Sequence, residues 1–159
     1  MKSFIIFSAF FFTSLSYGCD DIKTAHSNLL SSNFIMKQMF LLTVDDEKQA
    51  TGTNLIHYAN GQSKYEQLDL WMSEGTSYDA DGYEPFMSQS FSCDDIAQQG
   101  DDVFINEVKD DKTYNTRYRR QENMLVPVET VMETEAGILF MSFAIKMVFD
   151  YSNFSLVKD

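Results

Sequence analysis

The chain has 159 residues and carries 24 acidic against 12 basic side chains, for a formal net charge of −12. Hydrophobic residues make up 44% and aromatic ones 14%, which excludes a disordered chain and at this length supplies one core. The sign of the charge excludes nucleic-acid backbones and anionic membrane surfaces as partners, because such a field repels both.

At the start, Met1 and Lys2 precede an apolar run from Phe4 to Phe12. A cation followed by an apolar core too short to span a bilayer predicts a secretory signal peptide. Ser16 and Gly18 then place small side chains at the two positions a signal peptidase reads, so residues 1–18 are expected to be removed. Residues 19–159 are expected to form one exported domain, periplasmic in a bacterium. No other stretch approaches the ~18 consecutive apolar residues of a membrane helix.

Cys19 thereby stands first in the mature chain, and its "CDDI" returns at Cys93 to Ile96 with no wider similarity around it. These two cysteines are the only ones in the chain, and three chemistries compete for them. A lipid anchor on Cys19 fits poorly, since Leu15 lies one place too far upstream and bulky Tyr17 occupies a position that should be small. A zinc set fits no better, because His26 and His57 show no ligand spacing to either cysteine. An even cysteine count in an exported chain predicts a Cys19–Cys93 disulfide.

A helix is predicted from about Asp20 to Ser32. Ile22, Ala25, Leu29 and Leu30 fall on one face, and Asp20 and Asp21 suit the positive end of its dipole. The period then changes to two. In "NFIMKQMFLLTV", Phe34, Met36, Phe40 and Leu42 share a face interrupted by Gln38. Two strand-like runs meet at Asn60-Gly61, the pair that suits a type I′ hairpin turn. "SEGTSYDADGYEP" reads as loop, and "FMSQSFSC", "DVFINEV" and "TYNTRYR" as strands, with "KDDK" turning between the last two. "NMLVPVETVMET" runs to a turn expected at Glu135-Ala136-Gly137, and "ILFMSFAIKMVFDY" returns. In that last strand Leu139, Met141, Phe143, Ile145, Met147, Phe149 and Tyr151 point one way, against Ser142, Ala144, Lys146 and Asp150. The apolar face is about 40 Å long at ~3.4 Å per residue. One helix cannot cover it, so either the sheet closes on itself or its concave face is open to an apolar ligand.

The signal, the short helix, the Asn-Gly hairpin ending at Trp71 and the block "CDDIAQQGDDVFINEVKDDKTYNTRY" form a sequence of spacings. With "LVPVETVME" and the closing "FDYSNF" added, that sequence resembles the LolA-like periplasmic half-barrels of the outer-membrane lipoprotein-sorting class. The resemblance covers most of the mature chain and implies an α+β fold, an incomplete β-barrel wrapped around a helix. It also implies a concave apolar face that binds acyl chains in the carrier members.

No catalytic arrangement is legible. There is no Gly-x-Ser-x-Gly elbow, and neither histidine has a motif. "DADG" at Asp79 to Gly82, with Glu84, lacks the remaining ligands of a calcium loop and reads as a turn. Paired acids such as Asp101-Asp102 and Asp110-Asp111 would point to opposite faces of a strand. No metal, cofactor or enzymatic activity is therefore expected. The expected function is a non-catalytic exported binding protein for a lipid or another apolar molecule. Phe34, Met36, Phe40, Tyr65, Trp71, Met141, Phe143 and Met147 are its candidate ligand contacts. The alternative is an inhibitor or immunity protein that masks a basic exported enzyme. From Asp69 to Asp111 twelve acids face Lys109 alone, and Asp79, Asp81, Glu84, Asp101 and Asp102 are the candidate contacts. "RYRR" at Arg117 to Arg120 is the one basic cluster, expected to pair with that acidic stretch.

Overall fold

A computed structural model describes residues 17–76, 90–138 and 141–157, and the structural statements below concern those residues. The helix, α1, spans Cys19–Leu30 and buries Ile22, Ala25, His26 and Leu29, the stripe that its apolar spacing sets. Asp20 and Asp21 occupy its first turn, and the Ser31 backbone N–H bonds back to Ser27 O, 3.0 Å away, to end it. The disulfide Cys19–Cys93 is present, with Cα atoms 5.6 Å apart, and ties the first residue of α1 to a short 3-10 turn at Cys93–Asp95. Ser92 and Asp95 cap that turn reciprocally, the Ser92 N–H donating to Asp95 Oδ2 at 2.7 Å.

Eight strands follow: β1 Phe34–Val44, β2 Glu47–Ala59, β3 Gln62–Met72, β4 Ile96–Gln99, β5 Asp102–Lys109, β6 Lys112–Gln121, β7 Met124–Ile138 and β8 Met141–Leu156. They make one antiparallel sheet in the order β3-β2-β1-β8-β7-β6-β5-β4. Two meanders, β1 to β3 and β4 to β8, are thus joined where the last strand pairs with the first. β3 and β4 remain edges, so the sheet is open. The turns are two residues long where both can take positive φ: Asp45-Asp46, Asn60-Gly61 and Asp110-Asp111. Fold class and openness agree with the α+β half-barrel expected from the sequence.

Two local expectations are corrected. The turn expected at Glu135-Ala136-Gly137 is strand, since Glu135 pairs with Ala144 and Gly137 with Ser142. The strand continues past its acidic-to-glycine punctuation because its ladder with β8 runs on to Ile138 facing Met141. In "FMSQSFSC", Phe86 to Gln89 lie outside the described residues, Ser90 to Ser92 lie outside any strand and the cysteine opens the 3-10 turn, which the disulfide ties to α1. Most of "SEGTSYDADGYEP", and Leu139, lie outside the described residues.

Both core clusters lie on the side of the sheet that α1 covers. One cluster joins Leu29 of α1 to Phe34, Met36, Phe40, Leu42, Ile56, Tyr58, Met132, Met147, Phe149 and Tyr151. A smaller cluster joins Ile22 and Ala25 to Val103, Ile105, Tyr118 and Leu125. Phe34 stacks on Tyr58 with ring centroids 4.7 Å apart, and the Tyr58 hydroxyl donates to Leu30 O at 3.1 Å, which seats the end of α1 on β2.

Candidate functional site

Period-two alternation aims one residue in two at the helix side, and register aligns those residues into rows. Phe40 of β1 faces Phe149 of β8, which faces Thr130 of β7, which faces Thr116 of β6. Thr116 and Thr130 share a buried hydroxyl–hydroxyl bond of 3.0 Å. One row away, Gln38 faces Asn54 on one side and Tyr151 on the other, and Asn54 Nδ2 donates to Gln38 Oε1 at 3.0 Å. Gln38 is fully buried, and its Nε2 has no acceptor among the described residues. A buried polar row so placed fixes strand register, because a one-residue slip would turn it outward.

Of the eight ligand candidates, Phe34, Met36, Phe40 and Met147 meet in the main core cluster, with Tyr65 packed at its margin. Phe143 and Met141 continue the same face of β8 toward its tip, where Phe143 is partly buried and Met141 is 62% exposed. Trp71 does not join them. Counting by twos from Tyr65 places Trp71 on the helix side, but Leu68 is a bulge: Asn54 faces Gln67 while Thr53 faces Asp69. The extra residue reverses the alternation. Trp71 therefore sits in the row with Thr51 and exposed Leu41 on the opposite face, 50% exposed, with Lys48 Nζ 4.7 Å from its ring centroid.

Among the acidic candidates, Asp79, Asp81 and Glu84 lie outside the described residues, and Asp101 is an exposed turn residue. Asp102 is committed within the sheet. It accepts from Arg119 Nε at 3.1 Å and Arg117 Nη1 at 3.4 Å, so two arginines of "RYRR" do pair with the acidic stretch as expected. Arg117 also approaches Glu129, at 3.9 Å.

Two clefts were not foreseen. The larger, about 820 Å³, lies at the end of the sheet away from α1. Asp45, Asp46, Asp111, Glu133 and Glu135 line it against Lys146, which pairs with Glu133 at 3.2 Å. Only Asp111 belongs to the acid-rich stretch of the sequence. The others arrive because the Asp45-Asp46 and Asp110-Asp111 turns fall at the same end, and matching the two Asp-Asp turns in the sequence was the available signal. The smaller cleft, about 330 Å³, lies where β7 and β8 part company. Their ladder ends at Glu129 facing Asp150; beyond it β8 pairs with β1 and β7 with β6. Each departing strand carries an extra residue there, Val128 in β7 and one at Asn153-Phe154 in β8, with Asn153 at φ 54°. Met36 and Tyr151 of the helix-side core form the floor of this cleft, and Arg119 and Arg120 stand at its margin.

The two histidines are in unlike settings. His57 is exposed on β2, with Nε2 3.5 Å from Glu66. His26 is 3% exposed, held edge-on to Phe91 and Tyr118 with its Nε2 3.4 Å from the Tyr118 hydroxyl. Burial lowers its pKa to about 4, and burial also pushes Tyr118 well above the usual tyrosine value, so this pair is neutral near pH 7.

These features define the class: an open antiparallel sheet with one disulfide-tethered helix on its apolar face, a charged cleft at the far end and a slot between two diverging strands. Comparison with protein-family profiles gives no match, and comparison with curated proteins gives none. Among solved structures, the chain is similar to a LolA superfamily protein, NE2245 from Nitrosomonas europaea. The two share 10% identity over 87% of this chain and 91% of that one, with a TM-score of 0.26. Among the described residues no helix is long and apolar enough to cross a membrane.

Proposed function

We propose that the protein is a non-catalytic exported binding protein whose helix-side sheet face takes an apolar molecule such as a lipid chain. One observation carries the reading. Along β8 the apolar face outruns its cover, passing from fully buried Phe149 and Met147 to partly buried Ile145 and Phe143 and then to Met141. Covering that continuation would gain ~25 cal/mol for each Å² of apolar surface removed from water, with no bond made or broken. The Cys19–Cys93 disulfide supports an oxidising compartment and hence export. The test is saturable binding of a fluorescent fatty acid to the mature protein, with extraction and mass spectrometry of whatever co-purifies. Absence of both signals ends this reading.

A second reading rests on the far-end cleft. Five carboxylates around about 820 Å³ fit a basic protein segment, as an inhibitor or immunity protein would need, with electrostatic attraction raising the on-rate. Association with a basic exported partner should weaken steeply between low and physiological salt, and an association indifferent to salt would sink it.

A further inference from the structure

We infer that the slot between the diverging ends of β7 and β8 receives the anionic head of a single-chain amphiphile, with Arg119 and Arg120 as its counter-charges. The inference rests on the reading that the helix-side face takes an apolar molecule, names the chemical class of that molecule and seats its head at the end of β8 opposite Met141.

The slot combines an apolar surface with two cations. Its floor is apolar and continuous with the core, through Met36, Tyr151 and Phe154. Its margin carries Arg119 and Arg120, two cations in a chain whose formal net charge is −12. Arg119 spends Nε and one terminal nitrogen on Asp102 and is still more than half exposed. Arg120 has no carboxylate partner among the described residues, although acids outnumber bases two to one. It donates only to Glu122 O, at 3.3 Å, and lies over the Tyr17 ring at 4.4 Å. Cleavage after Gly18 would remove Tyr17 and uncover that guanidinium at the slot. An unpaired arginine beside an apolar cleft suits a carboxylate, which it can meet with two parallel N–H donors.

The size and shape of the slot limit the occupant. A volume of about 330 Å³ is at the low end for small-molecule sites, and so favours one chain over the two of a phospholipid. The slot exists because both flanking strands bulge, so it is a fixed feature of the backbone and not a gap left by one rotamer.

The experiment is calorimetric titration of the oxidised mature chain with dodecanoate and with dodecanol, which differ only in the head. Dodecanoate is expected to bind at least tenfold more tightly, and the R119Q/R120Q double variant to lose that preference while still binding dodecanol. With an isotope-labelled protein, a nitroxide near the head of a stearate should broaden the amides of Val126, Val128 and Ser152 to Phe154. A nitroxide at the tail should instead broaden Phe40 and Met147. Equal affinity for the two heads in the unaltered protein, or the reverse broadening pattern, overturns the inference and leaves the apolar site standing. Binding of neither compound overturns both.

Discussion

At the helix end of the sheet, α1 is tied by Cys19–Cys93, seals two buried clusters and anchors the ends of β2 and β7. At the opposite end two Asp-Asp turns and the tips of β7 and β8 extend without a helix over them, and Met141 stands in solvent. The same alternating sequence produces both ends, so the difference comes from what covers the apolar face and not from the strands. Twelve helical residues span about 18 Å at ~1.5 Å each, well short of the sixteen-residue β8 at ~3.4 Å each. Stability should therefore be concentrated at the tethered end, and apolar surface still open to a ligand at the uncovered one.

The largest expected effect tests the tether. Reducing Cys19–Cys93, or replacing both cysteines by serine, releases a loop with a sequence separation of 74, which costs about 4 kcal/mol on the chain-entropy view. Denaturant midpoints of oxidised and reduced protein measure it. A loss under 1 kcal/mol would mean that α1 is held by packing alone, and that the two ends differ less than the contacts suggest.

Acid should strike the same end. His26 is neutral in the folded protein because burial holds its pKa near 4, whereas the unfolded chain titrates it near 6.5. Its contribution is complete above pH 6.5 and declines as the pH falls toward 4, since only the unfolded chain gains the proton, for a total of about 3 kcal/mol. A further cleft, lined by Lys23, Leu30 and Phe91, opens beside the ring, and Lys23 adds no compensating negative charge there. His26→Phe should flatten that pH segment of the stability curve while the rest of the profile persists; an unchanged slope would place the acid sensitivity elsewhere.

The helix, the Asn60-Gly61 hairpin, the disulfide and the open antiparallel sheet were legible in the sequence. Each depends on local chemistry that a residue carries with it: apolar spacing, a turn pair at positive φ, an even count of two cysteines. What could not be read depends on register. Leu68, Val128 and Asn153-Phe154 look like ordinary strand residues, yet their bulges send Trp71 to the outer face and separate β7 from β8. The acidic cleft depends on which turns share an end of the sheet, and the β7 extension past Gly137 on ladder bonds to β8. A bulge is decided by both strands at once, and one strand's sequence does not announce it.

Between the two ends, Gly52 probes how tightly the middle of the face is closed. It lies opposite Phe40 and Leu70, and a Cβ there would come 2.6 Å from Asp69 O and 2.8 Å from the Phe40 ring. Backbone cannot yield as a flexible side chain does. Gly52→Ala should cost about 2 kcal/mol by urea denaturation, through displacement of β3 at its bulge. A neutral result would show that β3 moves freely, and would extend the loosely held region from the tips to the whole β3 edge.

The smallest expected effect on stability is the one that bears most directly on function. Met141→Ser removes an apolar side chain that already meets water, so stability should change by no more than about 0.5 kcal/mol. Met147→Ala, on the same face six residues along β8 and fully buried, should instead lose about 2–5 kcal/mol. If the uncovered stretch of β8 binds an apolar chain, Met141→Ser should weaken fatty-acid binding several-fold with the fold intact. Stability and binding would then separate along a single strand, between a methionine inside the core and one in solvent. Unchanged binding in a stable Met141→Ser protein would move the ligand away from the tip and toward the slot between β7 and β8.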